Sequence, residues 1–330
     1  MPTQDTNRMR RVIAKAPGGP EQLVVEPMTE IPRPGPGEVL VQVQAAGINF
    51  LDIMHRKGML SPPFPFTPGL EGVGLIKQLG EGTSPALAVG QRVAWINVRG
   101  SYASGLVVPI TQTIIVPDNL AAHQALLFQA ITAHYLAYEY RNVQPGDRVL
   151  IHAVAGGVGQ ILVQLLKHQG AWVVGTTSSQ SKAAIAQAVG ADAVINYGRD
   201  YTFLEELLSL TDGRGVDLAF DSVGAATLAT TMKGLARGGT AVSYGSSSGP
   251  PPVINPLDLI GPCTRLAAGS VFSYITEPGE LQRRASDILA GIRAGWLHMP
   301  ESKAYDLELA AQAHRDMENR GAPGKLYLTH

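Results

Sequence analysis

The stretch HAVAGGVGQ, His152 to Gln160, constrains the fold of this 330-residue chain more than any other. It sits between an apolar run, RVLIHA, and a segment, GVGQILVQLLKHQ, whose Val158, Ile161, Leu162, Leu165 and Leu166 form one helical stripe. Gly170 follows where a helix-ending glycine belongs. The alternation then continues through AWVVGTT, SKAAIAQAVG, DAVINY, FLEELLSLT, VDLAFDSVG, ATTMKGLARGG and TAVSYG, with TRLAAGSVF as a sixth strand. A helical crossover returns the chain to begin each strand in the same direction. The expected fold is therefore α/β, with a parallel, doubly wound sheet.

Within HAVAGGVGQ, Gly156, Gly157 and Gly159 let the backbone turn sharply and approach a phosphate. The helix that follows offers free amides and a positive dipole end. Strand before and helix after is the context that marks a dinucleotide loop. Loops of this kind that grip NAD carry Asp or Glu about 20 residues on, to hold the ribose hydroxyls. Here the second strand ends in Thr176, Thr177, Ser178 and Ser179, with no carboxylate, and Lys182 follows. Hydroxyl donors beside a cation suit a 2′-phosphate, so the expected cofactor is NADPH. The same residues, Ser181 especially, also suit a helix cap.

Before Asn119 the pattern is different. EVLVQVQAAGI (Glu38 to Ile48) alternates Val/Leu with Gln, the period of a half-buried strand. GVGLIKQLG, QRVAWINV and TQTIIVPD are further short strands between Pro/Gly turns, which predicts a barrel-like β domain. Past Phe272 two helical stretches, ELQRRASDILAGIRAG and LELAAQAHRDMENR, precede an apolar KLYL strand expected to return to the first domain.

Composition narrows the function. The net charge of −1 carries no broad attraction for nucleic acid. The single cysteine, Cys263, permits neither an internal disulfide nor a multi-cysteine metal site. No apolar run has the length of a membrane span, and MPTQDTNRMRR lacks the hydrophobic core of a signal peptide. The expectation is a cytoplasmic protein.

AGINFLD, PGLEGVG, GQRVAW, GSYAS, PGDRVLIHAVAGGVGQ, INY, FDSVG and YGSSSG occur in that order. The set resembles the medium-chain dehydrogenases/reductases, and within them the zinc-independent NADPH:quinone oxidoreductases, the zeta-crystallin-like branch. The resemblance implies a GroES-like β-barrel catalytic domain at 1–128 and 272–330 and a Rossmann NADPH-binding domain at 129–271. It implies a site in the cleft between them, with Asn49 near the nicotinamide ribose and Thr132 beside the nicotinamide, both as positioning residues. The phosphate loop would be Gly156, Gly157, Val158 and Gly159. Ser178, Lys182 and Tyr197 would surround the adenosine ribose and its 2′-phosphate, and Ser222 the adenine side. Tyr244, Gly245 and Ser246 would flank the nicotinamide, and Arg320 would reach the phosphates. A homodimer formed through the last strand of the nucleotide sheet, at Arg265 to Phe272, is also implied.

One segment asks what chemistry is left. INFLDIMHRKGML, Ile48 to Leu60, holds no cysteine and no tyrosine. Zinc-dependent relatives carry cysteine at the position of Asn49 and histidine at that of Leu70, so no metal is expected here. Many quinone reductases of the branch carry tyrosine at the positions of Met54 and Leu60, and both are apolar here. His55 is the nearest residue able to donate a proton near neutrality, although packing is its commoner role. Asp52 is expected to bond local backbone amides. The segment is then a cofactor-facing wall with Asn49 as its polar contact. What remains is metal-free reduction of a quinone or similar conjugated carbonyl. The alternatives are an enoyl (thioester) reductase acting on an activated C=C bond and a non-catalytic binding role.

Overall fold

The computed structural model describes residues 9–60, 62–83, 85–198, 200–319 and 324–330. In chain order the strands and helices begin with β1 (Arg10–Ala14), β2 (Leu23–Pro27), β3 (Glu38–Ile48), α1 (Phe50–Arg56), β4 (Glu71–Leu79), β5 (Arg92–Ile96), β6 (Gly105–Pro109), β7 (Thr113–Ile115) and α2 (Phe128–Glu139). Next come β8 (Arg148–Ile151), α3 (Gly157–His168), β9 (Trp172–Thr177), α4 (Gln180–Ala188), β10 (Ala193–Asn196), α5 (Leu204–Leu210) and β11 (Val216–Asp221). The last are α6 (Leu228–Lys233), β12 (Leu235–Ser243), α7 (Leu257–Ile260), β13 (Arg265–Ala268), α8 (Glu280–Arg293), β14 (Ser302–Asp306), α9 (Ala310–Glu318) and β15 (Lys325–Thr329).

Two compact units result. One holds the described residues through Phe128, Leu281–Ala285 and those from Glu301 onward, and the other holds Gln129–Glu280 and Ser286–Pro300. The first is built on a sheet of order β14-β15-β3-β4-β5-β7, with β6 also paired to β3. The period-two pattern of β3 buries Val39, Val41 and Val43 and leaves Gln42 and Gln44 outside. Those valines pack with Ile76, Val93, Trp95, Tyr102, Leu326 and Leu328. The KLYL segment does return here: β15 runs antiparallel to β3, with Leu326 opposite Ile48.

The second unit carries a sheet of order β10-β9-β8-β11-β12-β13, and every pairing in it is parallel. Its direction of winding reverses beside β8, the topological switch point at which open α/β sheets bind ligands. Leu150, Val174, Ile195, Phe203, Leu207 and Ala219 belong to its core. Residues 272–280 and 286–300, which the resemblance would assign to the GroES-like domain, cluster with this unit. Gln164 exchanges two hydrogen bonds with the His298 backbone, at 3.0 and 2.8 Å, and His168 stacks on Trp296 at 4.0 Å.

Local pattern misplaced one boundary. ATTMKGLARGG was expected to be helical throughout, but α6 ends at Lys233 and Leu235 already opens β12. Leu235 pairs with Val216 of β11, so sheet pairing overrides the helical preference of Leu-Ala-Arg. Among the described residues no helix is long and apolar enough to cross a membrane.

Candidate active site

In the second unit all strands run the same way, so the segments leaving β8 to β12 emerge along one edge. Gly156 caps α3 in an extended conformation. The Gln160 N–H bonds back to the Gly156 carbonyl at 2.9 Å, which leaves the N–H groups of Gly157, Val158 and Gly159 without an intrahelical acceptor. A Cβ on Gly159 would lie 2.6 Å from the Val154 carbonyl oxygen, so glycine is required there for the loop to close. On Gly157 the same atom would meet the Gln129 side chain at 2.0 Å. The start of α2 therefore lies against the glycine loop, and Thr132, buried, is on that helix.

The second strand delivers the hydroxyl cluster. Ser178 follows β9 directly, and Ser179 caps α4, its Oγ accepting the Lys182 N–H at 3.4 Å. The cap is thus Ser179 and not Ser181, which lies inside the helix. The Tyr197 N–H bonds the Thr177 carbonyl at 3.0 Å, which sets Tyr197 beside the end of β9, where its ring stacks on Tyr201 at 4.7 Å. Further along the edge, the Tyr244 N–H bonds the Asp221 carbonyl at 2.9 Å and the Ser247 N–H bonds the Ser222 carbonyl at 3.1 Å. Ser222 and the segment Tyr244, Gly245 and Ser246 are thereby adjacent. Burial pushes the Tyr244 phenol up to about 12, with a hydrogen bond to Ser222 pulling the other way, so it stays protonated at neutral pH.

Beneath this edge lies a network that the motifs did not reveal. Asp221 is fully buried and accepts the N–H groups of Val223 (2.8 Å) and Gly224 (2.9 Å) and the hydroxyl of Thr227. His152, also buried, bridges Thr176 and Thr231. An acid closing the apolar run VDLAFD was the available signal.

In the first unit Asn49 caps α1, and Asp52 accepts the Asn49 N–H at 2.8 Å, the local backbone bond expected of that aspartate. Asn49 Nδ2 donates to Glu71 Oε1 at 2.9 Å and its Oδ1 accepts from Lys325 Nζ at 2.9 Å, while Lys325 also pairs with Glu71. Glu71 Oε2 accepts the Phe128 N–H at 3.1 Å. Sequence reading missed Glu71 and Lys325; a lysine opening an apolar strand was the trace they left. His55 is buried, and that burial lowers its pKa, with the Arg99 charge adding in the same direction.

Asp52 also faces Tyr102, whose hydroxyl lies 3.4 Å from Oδ2 and 3.1 Å from His314 Nε2. His314 Nδ1 lies 3.3 Å from Arg56 Nη1, and Arg56 binds both Glu318 oxygens at 3.0 Å. A guanidinium only donates, so Nδ1 is the acceptor and the proton of His314 is on Nε2. The chain of bonds thus runs toward Asp52. Burial pushes the Asp52 carboxyl up to about 7, and burial with the Arg56 charge holds His314 down to about 3. The INFLD segment opens a helix whose Asp52 and Arg56 bond within their own unit, to Tyr102, His314 and Glu318. Arg320 lies outside the described residues.

The donor set does not fit zinc. Asn49 Oδ1 and Glu71 Oε1 are both engaged by an ammonium, Leu70 offers no ligand, and among the described residues no group of three His, Cys, Asp or Glu is placed to hold a metal.

Comparison with known proteins follows this division. Residues 35–118 match the model of the alcohol dehydrogenase GroES-like domain, and residues 157–289 that of the zinc-binding dehydrogenases. A 2-haloacrylate reductase of Burkholderia sp is 34% identical over 332 residues, covering 97% of this chain and 98% of its own. A probable quinone oxidoreductase of Schizosaccharomyces pombe is 34% identical over 312 residues, covering 94% of each. The structure of Escherichia coli quinone oxidoreductase complexed with NADPH superposes with a TM-score of 0.92 at 31% identity, covering 97% of this chain and 100% of that one.

Proposed function

The chain belongs to the medium-chain dehydrogenase/reductase family, among its quinone oxidoreductases, and from that premise we propose that it uses NADPH to reduce a quinone or similar conjugated carbonyl without a metal. The observation that carries this is the sheet edge. There the glycine loop opens α3, and the β9 end presents Thr177, Ser178 and Lys182 with no carboxylate between them. The amides of Gly157, Val158 and Gly159 would take the pyrophosphate, and Ser178, Lys182 and Tyr197 the 2′-phosphate and its ribose. Ser222 would lie on the adenine side, and Thr132 with Tyr244, Gly245 and Ser246 would orient the nicotinamide. Asn49 retains its proposed positioning role, and Arg320 its proposed phosphate role.

NADPH supplies the hydride, and the chain's residues supply orientation and exclusion of water. A quinone suits a site with no tyrosine at positions 54 and 60, because its reduced oxygens are stabilised by aromaticity and can take protons from water. A second reading, reduction of an activated C=C bond, is favoured by the likeness to 2-haloacrylate reductase. We read the enzyme as cytoplasmic, with a small-molecule substrate and no nucleic-acid partner. It would form a homodimer through β13, an edge strand with Leu266 exposed.

The deciding experiment is the initial rate of NADPH oxidation with a small quinone, with NADH as the paired control and a 2-haloacrylate as the second acceptor. NADPH-preferring turnover of the quinone supports the main reading. Turnover of the acrylate alone selects the second. Tight NADPH binding without either turnover rejects both acceptors.

A further inference from the structure

Lys325, Glu71 and Asn49 are brought together by strand pairing alone. Leu326 pairs with Ile48, so Lys325 falls opposite Asn49 one step on. Ala46 pairs with Gly72, so Glu71 falls opposite Gly47. The Glu71 carboxylate lies over Gly47, where an added Cβ would come 2.3 Å from Oε1. Exposure is 0% for Glu71, 3% for Lys325 and 5% for Asn49. A buried ion pair is a poor source of stability, because desolvating both charges costs about what their attraction returns. Its placement beside a residue of the candidate site calls for another reason.

Hydrogen-bond chemistry supplies one. An ammonium only donates and a carboxylate only accepts. Lying between them, the Asn49 amide has one permitted orientation: Oδ1 toward Lys325 and Nδ2 toward Glu71. Its oxygen is then occupied. Among the described residues, the second Nδ2 hydrogen and the third ammonium hydrogen have no acceptor. The cluster therefore has two spare donors to offer a ligand, while each of its side-chain oxygens already accepts at least one hydrogen bond.

We propose that Lys325 is a positioning residue for the reduction, which locks Asn49 as a donor so that the ligand atom seated on it is an acceptor oxygen: a ribose hydroxyl or a carbonyl gaining negative charge. This rests on the proposed reductase function. The ammonium also takes up the oxygens that a zinc ion would need, so the chain provides from its own backbone register the fixed positive charge of this place.

The test uses the full chain and three variants: Lys325→Met, Lys325→Arg, and the double variant Glu71→Gln/Lys325→Met. The double variant removes both charges together and so avoids stranding a buried carboxylate that would oppose folding. Two readouts are taken: steady-state kinetics with NADPH and the acceptor, and the side-chain 15N–1H signals of Asn49. The expected result is a resolved, exchange-protected Asn49 amide pair in the wild type that loses protection in the double variant. With it, kcat falls roughly 100-fold, the scale of losing one oriented donor at a reacting centre. NADPH affinity, carried mainly by the glycine loop and the Lys182 cluster, falls much less than kcat. Lys325→Arg recovers part of kcat. A folded double variant with wild-type kcat, or an Asn49 amide equally protected with and without Lys325, overturns the proposal. If the wild type turns over no acceptor, the reductase reading fails, and the amide signals still decide whether Lys325 positions Asn49.

Discussion

His152 Nδ1 lies 2.8 Å from Thr176 Oγ1, which ties the end of β8 to the end of β9 beneath the glycine loop. The other ring nitrogen lies 2.8 Å from Thr231 Oγ1, and that hydroxyl reaches Asp221 Oδ2 at 3.1 Å. Strand ends that flank the proposed cofactor loop are thus held by one buried side chain. Replacing His152 with alanine leaves the Thr176 hydroxyl short of a partner, while Thr231 keeps Asp221 and the Thr227 carbonyl, and opens a cavity. The expected loss is on the order of 3 kcal/mol of stability, together with weaker NADPH binding. Chemical unfolding and fluorescence titration check both. An unchanged NADPH affinity would show that the network supports the fold and not the cradle.

The buried titratable groups predict how stability follows pH. Burial lowers the pKa of His152 to about 4 and that of His314 to about 3, each from 6.5. Below 6.5 the unfolded chain takes up protons that the native one refuses. Their contribution is complete above that value and is lost as the pH falls toward 4, at about 1.4 kcal/mol for each tenfold change in proton affinity. Asp52 acts in the opposite sense. Its carboxyl rises from 3.8 to about 7, so its contribution is complete below 3.8 and is lost as pH rises through 7. Asp52→Asn should therefore gain on the wild type as the pH rises from about 4 to 8, measured by urea unfolding. A constant difference between the two would contradict the assignment.

Cofactor choice should reside in Lys182. Removing its charge by Lys182→Ala is expected to weaken NADPH by roughly tenfold or more, since a charge-assisted hydrogen bond contributes about 1.5–3 kcal/mol. NADH, which lacks the 2′-phosphate, should be little affected. The ratio of kcat/KM for the two cofactors measures this directly.

The glycine loop discriminates between its own members. A Cβ on Gly156 meets nothing nearer than the Ala153 carbonyl at 3.1 Å, whereas on Gly159 it meets two backbone oxygens at 2.6 and 2.8 Å. Gly159→Ala must displace backbone, at an expected cost of about 1–3 kcal/mol, as for an overpacked core. Gly156→Ala should cost less, and the order can be read from thermal unfolding midpoints with and without NADPH.

The edge of the nucleotide sheet predicts assembly. Leu266 on β13 is exposed, as are Leu257 and Ile260 of the preceding helix and Val253 before it. Leu266→Lys places a charge on that edge and is expected to shift a dimer toward monomer in sedimentation velocity, with turnover per chain retained. A wild-type chain that sediments as a monomer would remove the dimer.

Much of this molecule could be read from its sequence, wherever the deciding physics is local. The period of β3, the stripe on α3 and the glycines between strand and helix all follow from neighbours a few residues apart. They are enough to specify a parallel nucleotide sheet and the edge that carries Ser178, Lys182 and Tyr197. Tertiary structure decided the rest. Pairing with β11 turned Leu235 and Ala236 from helix to strand. Asn49 meets Glu71 from 22 positions away, and Lys325 meets Glu71 across 254. Tyr102 meets His314 across 212. Such partners are chosen by sheet register and by the need to satisfy every charge removed from water. Neither leaves a periodic trace, and so an ordinary lysine in KLYL acquires its role only when β15 docks beside β3.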